Sequence, residues 1–224
     1  MTREAMLTEL KAVLKESAVD AAWGNTRLLE FLAEAQDQFC DDTGYFVDKR
    51  TYTITTVADQ AAYAISDRVI AVKEVWDGDR KLGKFVQNDR DPYDRIGVAV
   101  TFPSSTGAEA HAWQADQETG YITLYPTPPD AGVEYTLRVW RRSLEWLSDA
   151  GAEPEVPVQF HRGLIQFAAY IALTDHDFET QDKVSADKHF KNYTYYMRKG
   201  ITAVNRVLNK PTDAEPNPSY TVRA

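Results

Sequence analysis

Asp175-His176-Asp177, followed by Glu179 and then His189, is the nearest thing in the chain to a metal cluster. Carboxylate and imidazole are the ligands a divalent cation takes, and in a loop these residues could converge on one ion. On a helix, residues 175 and 177 would lie on different faces, and the same run then reads as the acidic, solvated link between two helices. Asp89, Asp91 and Asp94 loosely imitate a calcium loop, but the glycine and closing glutamate of the EF-hand pattern are missing. His111 and His161 stand singly, without a located partner, as surface or satisfied core residues do. Cys40, beside Phe39 on an apolar face, reads as a small core hydrophobe; as the sole cysteine it excludes an intrachain disulfide and a thiolate zinc site. Neither glycine-rich phosphate loop (G-x-G-x-x-G or G-x4-G-K-[ST]) occurs, and there is no G-x-S-x-G elbow. No catalytic, metal-binding or cofactor-binding residue is assigned, and no enzymatic activity or cofactor is expected.

Aromatic residues are abundant, with five Trp, twelve Tyr and nine Phe. Trp76, Trp113, Trp140 and Trp146 fall in or beside a β-rich stretch, where they could form a sugar-binding platform. They could equally fill a small sandwich core or a subunit interface. Of Tyr193, Tyr195 and Tyr196, Tyr193 alone falls on an apolar helical stripe. Tyr195 and Tyr196 therefore point toward a second helix or a neighbouring subunit.

These residues need elements to hold them, and the periodicity changes twice along the chain. Over residues 2–19, Met6, Leu10, Val13 and Leu14 recur at helical spacing. Asn25 is the expected N-cap of a second helix with Leu28, Leu32, Ala35 and Phe39 as its stripe and Gly44 as its stop. After Phe46 the period becomes two. Tyr52 and Ile54 alternate with threonines, and 68–76 is rich in Val and Ile and runs into Asp77-Gly78, a hairpin dipeptide. Residues 81–119 read as loops and edge strands. Residues 121–125 and 133–141 read as an antiparallel pair across the proline-rich link 126–132. Ile122 and Leu124 face one way on the first, Val133, Tyr135, Leu137 and Val139 on the second. Pro157 opens a third helix carrying Phe160, Leu164, Phe167 and Ile171. The fourth carries Ala186, Phe190, Tyr193, Met197, Ile201, Val204 and Leu208, and Pro211 stops it.

The layout is α+β. Two helical hairpins (1–46 and 155–210) are expected to form a four-helix bundle-like domain around an inserted antiparallel β lobe (47–154), sandwich- or barrel-like, followed by an extended tail (211–224). The formal charge of −9 argues against a grip on nucleic acid or an anionic membrane, since both polyanions recruit basic patches. No apolar run approaches about 18 residues and no apolar signal region opens the chain, so a soluble protein made in a reducing compartment is expected.

Four stretches resemble the head-to-tail adaptor (connector) proteins of short-tailed bacteriophages. Trp23 followed by Leu28-Leu29-Glu30-Phe31-Leu32-Ala33-Glu34-Ala35-Gln36 is similar to the family's opening pattern, a tryptophan, a Leu-Leu pair and a helix ending Asn-Glu-Ala-Gln. Tyr63-Ala64-Ile65 resembles the approach to its β lobe. Ile122-Thr123-Leu124-Tyr125-Pro126-Thr127-Pro128 looks like its strand-then-proline hairpin, and Val156-Pro157 with Phe160-His161-Arg162-Gly163-Leu164 like the start of its penultimate helix. Ala33 stands where the family commonly has asparagine, and 81–119 matches none of its pattern. The resemblance implies a virion protein made in the host cytoplasm. It implies a ring of about twelve copies between portal and tail proteins, extending the channel through which DNA passes without sequence-specific binding. An acidic protein suits such a channel. Pro218, Tyr220 and Val222 of the tail, with Tyr195 and Tyr196, are the candidate partner-binding residues. A carbohydrate- or receptor-binding module of a tail structure is the alternative reading.

Overall fold

The structure, a computed structural model, describes residues 1–15, 23–84, 109–116, 120–144, 151–174 and 183–208. Its elements run α1 (Arg3–Leu14), α2 (Asn25–Thr43), β1 (Phe46–Thr55), β2 (Ala62–Ala64), β3 (Val69–Asp77), β4 (Arg80–Lys81) and β5 (Gly83–Lys84). They continue with β6 (Ala112–Asp116), β7 (Tyr121–Tyr125), β8 (Glu134–Arg141), a 3-10 turn (Val158–Phe160), α3 (His161–Thr174) and α4 (Lys183–Leu208). The chain is thus α+β, with helices at both ends and strands between.

Thr2 starts α1 by accepting the Ala5 N–H on its side-chain oxygen. The helix stops sooner than its apolar pattern suggests, because Lys15 turns left-handed (φ 58) and closes the last turn with its own N–H. Gly24, rather than Asn25, occupies the N-cap of α2. Asn25 is already helical, and no side chain caps that end. The expected stripe of α2 is fully buried at Leu28, Leu32, Ala35 and Phe39.

The strands form two four-stranded sheets, ordered β1-β8-β3-β4 and β2-β7-β6-β5, with no closed barrel. Phe46 pairs with Arg141 at one end of the β1–β8 ladder. The predicted pairing of 121–125 with 133–141 does not occur, since β7 and β8 lie in different sheets. The proline-rich link between them crosses from one sheet to the other and is held to Thr56. Thr56 donates its hydroxyl to the Asp130 carbonyl and its N–H to that of Val133, and Gly132 donates back to the Thr56 carbonyl. The alternation was read correctly, because Ile122 and Leu124 meet Tyr135, Leu137 and Val139 in one buried cluster with Ile54, Val75 and Trp113. Within 81–119, β6 is an inner strand rather than an edge, and its Trp113 fills that core. Residues 85–108 lie outside the described residues. The hairpin after β3 is displaced by one residue: Asp77 pairs with Arg80, so Gly78 and Asp79 form the turn and Gly78 takes the positive φ.

A second cluster joins the helices. Met6, Leu10, Leu28, Leu32, Phe39, Leu164 and Tyr193 belong to it, and α3 touches α1, α2 and α4. Gly163 lets α3 approach α4, for a Cβ there would sit 2.7 Å from the Cβ of Tyr196. On α4, Ala186, Tyr193 and Val204 are buried as predicted. Phe190 is not: it is 44% exposed and rests against Tyr170 at the rim of the α3–α4 contact. The two clusters meet at a polar seam, where Arg68 bonds Asp37 and Arg142 bonds Asp41.

Candidate docking surfaces

Among the described residues, the types capable of chemistry do not converge. His161 is buried; its Nε2 donates to the Val156 carbonyl at 2.6 Å and its Nδ1 faces the Met1 amino group at 3.0 Å. Burial pulls its pKa below the ordinary imidazole value, so it serves as a satisfied core residue. His189 donates from Nδ1 to the Gln166 side-chain oxygen, which binds it to α3. His111 is exposed beside Arg80. Cys40 is wholly buried and burial pushes its thiol up to about 12, so it stays protonated, as a core hydrophobe does. Among the described residues no three His, Cys, Asp or Glu side chains are placed to share a metal ion. Asp175, His176, Asp177 and Glu179 lie outside those residues, as do Asp89, Asp91 and Asp94.

The tryptophans of the β sheets are engaged where they are described. Trp113 is core, Trp76 donates to Glu74 at 3.1 Å, and Trp140 is covered by Lys73, whose Nζ lies 3.2 Å from the ring centroid. Neither Trp113 nor Trp140 is available as an open platform. Trp146 lies outside the described residues.

The described residues include two grooves of opposite charge. The first runs along α4. Tyr195, Arg198, Lys199 and Arg206 line one wall and the 3-10 turn supplies Gln159 and Phe160; no acid among the described residues lines it. Tyr195 is 56% exposed, and Lys199 lies over its ring at 4.4 Å. Tyr196 packs the base of its side chain onto Gly163 of α3 while its ring meets that of Tyr195 edge-on, centroids 5.4 Å apart, and the two line a further groove with Glu9 and Arg162. Tyr193 faces inward and donates its hydroxyl to Asp42 at 2.5 Å. Desolvation, reinforced by that carboxylate, pushes its pKa above the ordinary phenol value.

The second groove lies along α2 and is lined by Glu30, Glu34, Asp37 and Asp41, with Gln38 and Arg142. Burial pushes the Asp37 carboxyl above the usual range in spite of Arg68 beside it. The cations beside Tyr195 are not among the residues singled out from the sequence. Their signal is the recurrence of residues 195, 198, 199, 202 and 206, a stripe opposite the apolar one. Pro218, Tyr220 and Val222 lie outside the described residues.

Residues 1–215 match the family model described as SU10 adaptor protein. The chain belongs to this family. No curated protein matches it. The adaptor is therefore a bacteriophage structural protein of the virion, as its resemblance to head-to-tail adaptors implied. No described helix of the adaptor is long and apolar enough to cross a membrane.

Proposed function

We propose that the adaptor forms a ring, with twelve copies, between the portal and the tail, where it extends the DNA channel used in packaging and ejection. The family match over residues 1–215 carries this reading. The charge of −9 supports it, since like charge keeps DNA from sticking to a channel that it must slide through. In this reading the helical hairpins, 1–46 and 155–210, form a bundle domain and residues 47–154 an inserted β lobe. The protein works through contact surfaces, without a catalytic centre. Tyr195 belongs to one such surface, and Tyr196 backs it against α3. Pro218, Tyr220 and Val222 of the tail lie along a neighbouring subunit or the portal, by strand addition.

Mixing the purified protein with its portal and viewing the product by negative-stain microscopy tests the reading. A ring stacked on the portal is the expected result, and the absence of any complex would refute it. Deleting residues 211–224 separates out the role of the tail. The shortened chain is expected to stay folded by circular dichroism and to lose ring or portal binding; normal assembly would remove the tail from the account.

A further inference from the structure

The charge of this acidic chain is sorted between two helices. α4 carries Lys183, Lys188, Lys191, Arg198, Lys199 and Arg206 against one acid, Asp187, whereas α2 carries Glu30, Glu34, Asp37, Asp41 and Asp42 against Arg27 alone. The α4 cations at 198, 199 and 206 line a groove that holds no acid among the described residues. Glu30 and Glu34, exposed and one turn apart, and the half-buried Asp41 form one row of side chains along the α2 groove, the ridge of that helix; Glu30 bonds Arg27 and Asp41 bonds Arg142.

We propose that each copy seats the α2 ridge of a second copy in its α4 groove, so that Glu30, Glu34 and Asp41 meet Arg198, Lys199 and Arg206. The lengths match. Residues 30–41 and 195–206 each advance about 16 Å at 1.5 Å per residue, and Glu34–Asp41 and Lys199–Arg206 have the same seven-residue separation. A ridge laid in a groove is also how helices pack generally. Groove and ridge lie on different helices, and in the ring reading the contact is heterologous: every copy gives a ridge to one neighbour and takes one from the other. Such contacts close into rings when the rotation allows, whereas a self-complementary patch stops at a dimer. Tyr195 lies in the same groove and presents its ring alongside Lys199. This rests on the ring reading given above and names its interface.

Charge reversal tests it, using full-length protein with and without portal, followed by sedimentation velocity and negative-stain microscopy. Arg198→Glu/Lys199→Glu and Glu30→Lys/Glu34→Lys are each expected to weaken self-association about tenfold or more, because like charges then face one another. All four positions are exposed, so both variants should keep the wild-type circular dichroism spectrum. An equimolar mixture of the two is expected to assemble again with alternating copies, since the reversed groove accepts the reversed ridge and the unreversed pair is retained. Assembly of either variant alone at wild-type strength would overturn the proposal. So would failure of the mixture where wild type assembles, which would point instead to the tail as occupant. Loss of DNA retention with self-association unchanged in the α4 variant would overturn it also, by assigning the groove to nucleic acid. If wild type forms no ring under any condition, the ring reading falls and this interface with it. If wild type and both variants all form rings, the interface alone is wrong.

Discussion

Asp48 shows how much one side chain can organise. The β1–β8 register shifts between Asp48 and Tyr52, and the Asp48 carboxylate closes that bulge by accepting the N–H groups of Arg50 and Thr51. Its other oxygen accepts from Arg141, which also bonds Glu155. Burial pushes the Asp48 carboxyl up, but these donors outweigh burial and hold it at about 2. Glu155 is held low in the same way. A carboxyl depressed in the fold adds stability above its unfolded value of about 4 and loses it as pH falls toward the folded value. The urea midpoint is therefore expected to drop as pH goes from about 4 to about 2, and Asp48→Asn to flatten that drop; parallel curves for the two proteins would contradict this. Asp37, raised by burial, works in the opposite sense and softens the fall. Cys40 and His161 could be placed from their neighbours in the sequence. Asp48 could not, because its role exists only once two distant strands have paired.

Gly44 governs the passage from helix to sheet. It ends α2 at φ 58, and a Cβ there would come within 3.1 Å of the Trp140 ring, over which Lys73 also lies. Gly78 has nearly the same φ, 55, but opens to free space. Gly78→Ala is expected to cost about 1–2 kcal/mol for the left-handed backbone alone. Gly44→Ala is expected to cost more, by about 1–3 kcal/mol of overpacking. Equal losses of thermal midpoint in the two variants would show that Trp140 yields freely. At this scale the sequence was legible wherever the signal is periodic, as in the stripes of α2 and α3 and the faces of β7 and β8. Partner choice was not, for alternation tells a strand which face to bury but not which sheet to join. A proline-rich link between two strands looks like a hairpin until Thr56, far back in the chain, is seen to hold it. The basic stripe of α4 went unread for a related reason: apolar positions define a helix, and the exposed cations between them matter only against a surface elsewhere.

The molecule as a whole has two buried clusters, one among the helices and one between the sheets. Two partly exposed ion pairs cross the seam between them beside Phe46 and Ile70, and such pairs contribute little each. Calorimetry of the intact protein is accordingly expected to resolve two transitions. Leu124→Ala, removing a fully buried side chain of the sheet cluster at about 2–5 kcal/mol, should lower one and leave the other in place. A single transition moving as a unit would mean that the seam couples the clusters tightly. The pairing of Phe46 with Arg141 has a consequence of another kind. If residues 47–154 form an inserted lobe, as proposed above, that lobe leaves and rejoins the helices through two adjacent stems, like a cassette with both connectors on one edge. Any replacement would have to supply α2 with new partners for Asp37 and Asp41.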